Sequence, residues 1–590
     1  MPANASSATA PAMTLEGVDK SFQVGHRTIT ALTDVSLSVR PGIVTGLIGP
    51  DGAGKTTLMR LAVGLLRPDK GRIVVLGNDV ATKPLLVQQT VGYMPQRFGL
   101  YEDLSVRENL DLYADLQGVP KDKRPSRYDE LMFMTGLGPF QARLAGKLSG
   151  GMKQKLGLAC VLIRSPGLLA LDEPTVGVDP VSRRELWSIV YRLVEDEGMT
   201  VLLSTAYLDE AERCQEVILV NKGQVLGQGP PEEFSRRMAG RCFQVFAPNA
   251  NKRWLQERLS RAPGVADAII HGGGVRVLTD DPPPSPLDRI LPDAENIRID
   301  PVAPRFEDEF IVLLRDETRQ IPDLPGSGSQ KADEEKPREV ITVKDVKRRF
   351  GDFYAVKGIS FEVNHGEVFG LLGANGAGKS TTFRMLCGLL PSTDGTLLVA
   401  GNDLRHAAAK ARANIGYMAQ RFSLYANLSV MDNLKFFSKA YGLKGPIRTD
   451  RIKWALHEFE LDDFADATSG NLPLGYKQRL ALAAALMHQP EILFLDEPTS
   501  GVDPIARREF WHRINALSAG GVTVLVTTHF MEEAEYCDRL VIMAEGEILA
   551  AGTPEAMKEK VRSKDLPEPT MEDAFIHLIE TRESQRQATA

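Results

Sequence analysis

The chain contains the same three motifs twice, and the second set follows the first at one constant spacing. The matching pairs are GPDGAGKTT at Gly49–Thr57 with GANGAGKSTT at Gly373–Thr382, GYMPQRFGLY at Gly92–Tyr101 with GYMAQRFSLY at Gly416–Tyr425, and LDEPTVGVDP at Leu171–Pro180 with LDEPTSGVDP at Leu495–Pro504. Each pair is separated by 324 positions. Chance similarity does not keep one spacing across three motifs, so the chain is a tandem duplication of a unit of about 230 residues.

The sequence outside the motifs predicts the domain boundaries. Between the repeats, β-like runs at Cys242–Phe246, Val265–Ile270 and Gly274–Leu278 surround a helical pattern at Lys252–Arg261, which predicts a small α+β subdomain. The stretch 316–337 is rich in proline, glycine, serine and charge and is typical of a linker. We therefore predict a disordered tail at 1–12, the first repeat at 13–241, an accessory subdomain at 242–315, a linker at 316–337 and the second repeat at 338–590.

Composition excludes several classes of protein. The chain is 43% hydrophobic and 25% charged, which is ordinary for globular proteins, and its formal net charge of −7 disfavours a general nucleic-acid binder. Five cysteines without a CxxC pair predict reduced, mostly buried thiols. No apolar run reaches the roughly 18–20 residues that span a bilayer. If the protein acts at a membrane, we expect another chain to supply the membrane-spanning part.

Both copies of the first motif fit the phosphate-binding pattern GxxxxGK[ST]. Each copy follows a β-like run and precedes a helical pattern, the strand–loop–helix context in which backbone N–H groups and a helix N-terminus hold phosphate. We expect the two lysines to reach the β- and γ-phosphates, and Thr56 and Ser380 to bind Mg²⁺. The predicted ATP-binding residues are Gly49, Pro50, Asp51, Gly52, Ala53, Gly54, Lys55, Thr56, Thr57, Gly373, Ala374, Asn375, Gly376, Ala377, Gly378, Lys379, Ser380 and Thr381.

An acidic pair ends an apolar run in each repeat. The runs Leu168–Asp172 and Ile492–Asp496 predict buried parallel strands, and their last residue would lie beside the metal as the second ligand of Mg²⁺. The glutamates that follow, Glu173 and Glu497, would then polarise the attacking water. An isolated acidic pair could be a surface turn, but this one follows a phosphate-binding loop.

A further motif leads to a family resemblance. LSGGMKQK at Leu148–Lys155 resembles the signature of ABC-type ATPases and lies about 20 residues before the acidic pair, as it does in that family. The resemblance covers both repeats, and TTHFMEEAE at Thr527–Glu535 is most similar to ATPase subunits of bacterial drug and small-molecule exporters. It implies an α/β fold of two tandem P-loop NTPase domains, dependence on Mg²⁺ and ATP, and a head-to-tail dimer of the two domains. The α+β subdomain predicted above lies between these domains in the chain.

The resemblance also assigns roles beyond the phosphate loop. Glutamines within the second motif, Gln96 and Gln420, and the histidine His529 match catalytic positions of the family. Phe22 and Phe350 stand where the family stacks adenine on an aromatic ring, although each could be a core residue of a strand. The signature of one half, Ser149, Gly150 and Gly151 in the first repeat, completes the ATP site of the other half in that family.

The two repeats are not equally equipped. The second signature reads LPLGYKQR, so Pro473 and Leu474 replace Ser149 and Gly150 and remove a hydroxyl and a close backbone approach. The first repeat has Ala206 where the second has His529. In the family's dimer both defects fall in one composite site, the one built on Lys55. We therefore predict one complete site and one slow or non-hydrolysing site, the alternative being tolerated drift.

We predict an ATP-hydrolysing subunit of an export complex, peripheral on the cytoplasmic face of the inner (cell) membrane, with ATP and separately encoded permease subunits as partners and no nucleic acid. The stretches 97–104 and 421–428 are predicted to form grooves for the permease's coupling helices by exposing Phe98, Leu100, Tyr101, Phe422, Leu424 and Tyr425. The alternatives are a twin ATPase acting on the ribosome or on nucleic acid, and a regulatory ATPase that senses rather than pumps. The transported substrate and the role of the accessory subdomain stay open.

Overall fold

The computed structural model describes residues 10–24, 27–96, 99–247, 250–271, 273–280, 296–315, 338–420, 424–564 and 566–587. The predicted linker at 316–337 and most of the predicted tail lie outside these residues. Internal contacts divide the chain into two units, one formed by Met1–Met238 with Arg305–Phe310 and the other by Ala239–Pro304 with Ile311–Ala590. No helix in the described part of the chain is long and apolar enough to cross a membrane.

The first repeat contains two sheets. Its strands are β1 (Met13–Val24), β2 (Arg27–Val39), β3 (Val44–Ile48), β4 (Lys70–Val75), β5 (Asn78–Asp79), β6 (Val91–Met94), β7 (Leu168–Asp172), β8 (Thr200–Thr205), β9 (Glu216–Asn221) and β10 (Gln224–Gly229). An antiparallel sheet has the order β2-β1-β4-β5, and a six-stranded sheet has the order β10-β9-β3-β8-β7-β6. Strands β9 to β6 of the larger sheet run parallel, and only β10 is antiparallel.

Helices surround these sheets. They are α1 (Lys55–Ala62), α2 (Pro84–Thr90), α3 (Val106–Leu116), α4 (Arg124–Thr135), α5 (Gly150–Leu162), α6 (Pro180–Glu195), α7 (Leu208–Ala211) and α8 (Pro231–Arg237). Strands β3, β7 and β8 are buried at every position, as expected for parallel strands. The predicted parallel strand at Leu168–Asp172 is therefore confirmed. Because Ile48 pairs with Thr205 and Asp172 with Ser204, the strand ends meet at one edge of the sheet.

The accessory subdomain is a four-stranded antiparallel sheet with one described helix. Its elements are β11 (Cys242–Phe246), α9 (Lys252–Ser260), β12 (Val265–His271), β13 (Gly274–Thr279) and β14 (Arg298–Pro301), and the strand order is β12-β13-β11-β14. This is the order of a split βαβ fold. The three predicted strands and the predicted helix are confirmed, whereas β14 was not predicted. A buried cluster that includes Val245, Leu255 and Val277 joins the helix to the sheet.

The second repeat, which follows α10 (Phe306–Leu314), has the topology of the first. Its strands are β15 (Glu339–Phe350), β16 (Phe353–Asn364), β17 (Val368–Gly373), β18 (Asp394–Val399), β19 (Asn402–Asp403), β20 (Ile415–Met418), β21 (Ile492–Asp496), β22 (Thr523–Thr528), β23 (Arg539–Ala544) and β24 (Glu547–Gly552). The sheet orders are β16-β15-β18-β19 and β20-β21-β22-β17-β23-β24, the second being the reverse listing of the first repeat's order. The predicted duplication and its tandem P-loop fold are confirmed.

The helices of the second repeat also correspond to those of the first. They are α11 (Lys379–Leu386), α12 (Leu404–Arg412), α13 (Val430–Ala440), α14 (Gly445–Glu458), α15 (Leu474–Ala485), α16 (Pro504–Ala519), α17 (Met531–Ala534), α18 (Pro554–Glu559) and α19 (Met571–Gln587). The accessory subdomain belongs to the same compact unit as this repeat, and α9 packs against α16. The sequence did not predict this packing, because the subdomain follows the first repeat in the chain.

Candidate functional site

Each phosphate-binding loop is wrapped around its own lysine. The Lys55 ammonium donates to the carbonyl oxygens of Gly49 at 2.7 Å and Pro50 at 3.1 Å. In the second repeat the Lys379 ammonium donates to the equivalent carbonyls, at the same two distances. Both lysines are buried and begin the helices α1 and α11. The charged group and the helix N-terminus thus lie together, which suits an anionic ligand.

Two glycines of the first loop occupy places where no other residue fits. A Cβ on Gly49 would lie 2.1 Å from the Val220 carbonyl oxygen. Gly54 has a φ of +105°, and a Cβ there would lie 2.7 Å from the Ala31 carbonyl oxygen. The motif glycines therefore allow the loop to pack tightly on neighbouring strands while its open side remains available to phosphate.

Hydroxyl and carboxylate oxygens meet at the end of β7. The Thr56 hydroxyl donates to Asp172 Oδ1 at 3.2 Å, and the Ser204 hydroxyl donates to the same oxygen at 2.7 Å. In the second repeat the Thr527 hydroxyl donates to Asp496 Oδ1 at 2.7 Å. Burial raises the pKa of Asp496 above its ordinary value. The structure thus brings the predicted ligand Thr56 to its partner Asp172.

These oxygen donors fit Mg²⁺. No group of three or more His, Cys, Asp or Glu side chains within the described residues is placed to hold a metal ion. Mg²⁺ in nucleotide sites is commonly bound by one or two carboxylates together with substrate phosphates, and it does not need an all-protein cage. A hydroxyl and a carboxylate beside a phosphate loop therefore form a suitable partial ligand set.

The glutamates after the two strands are held in the same unusual geometry. Gln96 Nε2 donates to Glu173 Oε2 at 2.5 Å, and Gln420 Nε2 donates to Glu497 Oε2 at 2.6 Å. Glu173 has a φ of +50° and Glu497 a φ of +47°, in the left-handed region that costs a non-glycine residue free energy. The Ser204 hydroxyl accepts the Glu173 N–H at 3.0 Å and stabilises this conformation. The structure brings together the predicted catalytic glutamine and glutamate in both repeats.

The partners of the two glutamates differ. His529 Nδ1 lies 3.2 Å from Glu497 Oε2, and both side chains are buried. At the equivalent place in the first repeat Ala206 is buried and apolar, and the nearest charged partner of Glu173 is the Lys55 ammonium, 3.7 Å from Glu173 Oε1. The predicted difference between the repeats is therefore visible within each unit.

The pKa values of the two glutamates move in opposite directions. Burial raises the pKa of Glu173 above its ordinary value, and the attraction of Lys55 does not offset it. Burial also acts to raise the pKa of Glu497, but the His529 imidazole, the Lys379 ammonium and the Gln420 amide outweigh it and bring the pKa below its ordinary value. The neighbouring histidine thus favours the carboxylate form, which is the form that can accept a proton from water.

We expect glutamine substitutions at these positions to change thermal stability in opposite directions at pH 7. A raised pKa means that ionised Glu173 destabilises the fold above the unfolded pKa of about 4.3, whereas the lowered pKa of Glu497 contributes stability that is lost only as the pH falls through its folded value. Glu173→Gln should therefore raise the Tm and Glu497→Gln should lower it. Each kcal/mol moves the Tm by about 2–4 °C in domains of 150–250 residues.

Differential scanning calorimetry of nucleotide-free protein measures this effect. As the pH falls below the unfolded pKa of about 4.3 and then through the lowered folded pKa of Glu497, both glutamates become protonated and the difference between the two variants should shrink. Shifts of the same sign at pH 7 would contradict the opposite electrostatic environments.

The two signature segments begin their helices differently. The Ser149 hydroxyl accepts the Met152 N–H at 3.3 Å and caps α5. Pro473 stands at the start of α15 and makes no side-chain cap. A Cβ on Gly151 would lie 2.4 Å from the Ser182 side chain, so glycine is required there by packing as well. The roles of Ser149, Gly150 and Gly151 in ATP binding stay a prediction.

The predicted adenine-stacking rings lie at the ends of β1 and β15. The Lys20 ammonium lies 5.6 Å from the centre of the half-buried Phe22 ring. The Arg348 guanidinium lies 4.5 Å from the centre of the Phe350 ring, which is 47% exposed. Each ring is accessible and has a cation near it, and stacking on adenine stays a prediction.

One part of the predicted permease groove is wrong. Leu424 is buried, at 8% exposure, in a core cluster with Val430 and Leu434. The Tyr425 N–H donates to Asn433 Oδ1 at 3.0 Å, which ties this loop to α13. Leu100 is half-buried. Phe98 and Phe422 lie outside the described residues. The exposed members are Tyr101, at 56%, and Tyr425, at 50%.

Sequence reasoning missed the hydroxyl residues behind the acidic pair. Ser204 and Thr527 each bond the metal-site aspartate and also accept the N–H of the glutamate that follows it. A signal was available, because both stand at the same place in the second buried strand of each repeat. A buried glutamate was also missed in each repeat. Glu210 accepts from Thr205 at 2.6 Å, and Glu533 accepts from Thr528 at 2.6 Å.

The chain resembles known proteins along most of its length. The family model described as ABC transporter matches residues 32–176 and 356–500. The chain is 51% identical over 577 residues to the probable multidrug ABC transporter ATP-binding protein YbhF of Escherichia coli (strain K12), covering 96% of this chain and 97% of that protein. It is 44% identical over 224 residues to the Nod factor export ATP-binding protein I of Burkholderia lata, covering 38% of this chain and 74% of that protein. A solved ATP-binding subunit of an ABC transporter matches at 28% identity with a TM-score of 0.38, covering 41% of this chain and 99% of that one.

Proposed function

Because the chain belongs to the ABC transporter family and is an ATPase of that family, we propose that it is the energy-supplying subunit of an export complex whose membrane permease is a separate chain. The observation that carries this proposal is the pair of Lys–Asp–Glu–Gln sites on two repeats of one fold. The names of the two relatives, a probable multidrug transporter subunit and a Nod factor export subunit, support export as the direction.

The residues of the second repeat suggest how hydrolysis proceeds. The loop around Lys379 binds the phosphates of ATP, and Mg²⁺, held by Ser380 and Asp496, would neutralise charge on them. Glu497 accepts a proton from the attacking water, and Gln420 and His529 position the water and the carboxylate. The water oxygen bonds to the γ-phosphorus as the bond between that phosphorus and the bridging oxygen breaks, and ADP and phosphate leave.

The two repeats pair as two composite sites in this proposal. The site on Lys379 uses the first signature, with Ser149, and has His529. The site on Lys55 uses the second signature, with Pro473, and has Ala206. Removing one preorganised donor from a transition-state site costs about 2.7–4 kcal/mol, so the Lys55 site would bind ATP and hydrolyse it slowly. The His529 imidazole beside Glu497 has no counterpart in the first repeat, where Ala206 stands, and this difference supports the same division.

The proposed location is the cytoplasmic face of the cell membrane, on the permease. The direct test is affinity purification of the tagged full chain from detergent-solubilised membranes of the native organism. A multi-span protein recovered in stoichiometric amount, with ATPase activity changed by its presence, is the expected result. Recovery of ribosomes or nucleic acid in place of a membrane protein would favour the twin ATPase that acts on those partners.

We expect the exposed tyrosines Tyr101 and Tyr425 to contact the permease. Changing either to aspartate places a charge in a contact that needs an aromatic side chain, and should reduce recovery of the chain with membranes and reduce transport. The ATPase rate of the purified chain without permease should not change.

A matched control is Leu226→Asp. Leu226 is also an exposed apolar side chain, at 42%, but it lies on β10, at the opposite edge of the six-stranded sheet from β6, which precedes Tyr101. This control should leave membrane recovery unchanged. Normal membrane recovery and transport in both tyrosine variants would remove this contact from the proposal.

A further inference from the structure

One face of helix α16 carries polar residues that are matched by the accessory subdomain. Arg508, His512 and Asn515 follow the i, i+4, i+7 spacing that places side chains on one face of a helix. Arg508 forms an ion pair with Asp267 of β12. Asn515 Nδ2 donates to Gln256 Oε1 of α9 at 3.0 Å, and Gln256 Nε2 lies 3.4 Å from His512 Nδ1. Three consecutive positions on this face are therefore engaged by one small subdomain.

Helix α9 makes two further contacts outside α16. Arg253 Nη2 donates to Asp538 Oδ2 at 2.6 Å. Lys252 Nζ lies 3.6 Å from Glu555 Oε1 of α18. The subdomain thus holds α16, α18 and the segment before β23 together, through contacts between charged and amide groups.

The first repeat shows that this face is specialised. The positions on α6 that correspond to the engaged residues of α16 are Arg184, Ser188 and Tyr191. Arg184 is exposed, whereas Arg508 is 7% exposed. Both repeats have arginine at this position, but only Arg508 is buried, in contact with the accessory subdomain.

Two short series of contacts connect α16 and α9 to the second ATP site. Helix α16 begins at Pro504, after Asp503, and the neighbouring Arg507 donates to the Val502 carbonyl oxygen at 3.3 Å. The Arg507 guanidinium also lies 4.5 Å from the centre of the Phe530 ring, which packs against His529 with 4.2 Å between ring centres.

The second series of contacts is made by Asp538. The oxygen that accepts from Arg253 also accepts the Val368 N–H at 2.9 Å. Val368 is the first residue of β17, the strand that ends at the phosphate loop of the second repeat. A displacement of α9 would therefore remove a charged partner from the residue that anchors this strand.

We propose that the accessory subdomain is a positioning clamp for the second ATP site, holding α16 and Asp538 in the arrangement in which Glu497 and His529 act. Asp267, Gln256 and Arg253 are positioning residues in this view and touch neither substrate nor metal. The proposal rests on the proposed function, since it assigns a regulator to the site that carries hydrolysis.

The test is a charge reversal with a rescue. Asp267→Arg places two like charges together in a buried contact and should release the clamp. We expect a roughly fivefold fall in the kcat of ATP hydrolysis with little change in KM, the size of effect typical of residues that act through an intermediate element. Faster amide hydrogen exchange in 252–260 and 504–519 should accompany it. The double variant Asp267→Arg with Arg508→Asp should recover both kcat and exchange protection.

Arg184→Asp is the matched control, because it changes the corresponding exposed arginine of the first repeat, and it should leave kcat and hydrogen exchange unchanged. Arg253→Ala removes a different contact of the accessory subdomain and should also release it. It replaces Asp267→Arg in the test if thermal unfolding shows that Asp267→Arg does not fold. Normal kcat in a variant whose exchange shows release would overturn the clamp, and so would unchanged exchange in both variants. Absence of ATPase activity in the unmodified chain would instead contradict the proposed function.

Discussion

The variant Glu497→Gln should lower the steady-state ATPase rate of the purified chain by at least about 100-fold, the contribution of a positioned general base. ATP should still bind, because the carboxylate acts on water and the phosphate contacts come from the loop around Lys379. Glu173→Gln should leave most hydrolysis in place. Glu173 has no histidine beside it, and in the proposed composite pairing its site faces Pro473 and Leu474.

The measurement is ATP turnover for the two variants, with nucleotide binding followed in parallel by a fluorescent ATP analogue. Each glutamate is the other's matched control. Both have the same backbone conformation, and each accepts a hydrogen bond from the corresponding glutamine of its own repeat. Equal losses would show that the two sites turn over alike or in obligatory alternation, and the model of a single working site would have to be dropped.

The variant His529→Ala should cost about 10²–10³ in kcat, the range observed when one preorganised donor is removed from a transition-state site. His529 is buried 3.2 Å from the Glu497 carboxylate, so alanine removes the neighbour that contributes most to lowering the pKa of Glu497. The acid limb of the pH–rate profile should therefore move to higher pH in this variant. This movement distinguishes loss of a catalytic partner from a packing defect.

The reciprocal change Ala206→His should restore little activity to the first repeat. In the proposed composite pairing that site faces Pro473 and Leu474, which supply neither a hydroxyl nor a close backbone N–H. ATP turnover at the Lys55 site is best measured in a Glu497→Gln background, in which the Lys379 site should hydrolyse little ATP. A large gain from Ala206→His alone would show that the second signature is functional as it stands, and that the histidine was the missing part.

Local sequence was sufficient for most of the nucleotide site. The phosphate loop is a short segment in which the lysine side chain donates to backbone carbonyl oxygens of the same loop. Its conformation around Lys55 and Lys379 could therefore be predicted from the motif. The parallel strands before Glu173 and Glu497 were predictable because four consecutive apolar residues before each aspartate favour a strand buried on both faces. The contrast between Ala206 and His529 was visible because the repeats align with each other.

Other features depended on contacts between distant segments. Leu424 resembles its exposed neighbour Tyr425 in hydrophobicity, and its burial depends on packing in a core cluster with Val430 and Leu434. Strand β14 is four residues long and has no strong pattern, and it is a strand because it pairs with the edge of β11. Short segments of this kind take their conformation from their neighbours.

The amino-acid sequence alone established the duplication, the two phosphate loops, the acidic pairs and the unequal signatures, because each of these is written in adjacent residues whose chemistry does not depend on distant partners. The packing of the accessory subdomain on α16, the opposite pKa shifts of Glu173 and Glu497, and the burial of Arg508 beside Asp267 came only from the folded chain. Asp267 and Arg508 are 241 residues apart in sequence. Burial and electrostatic environment are properties of space, and sequence separation carries no information about them until the chain has folded.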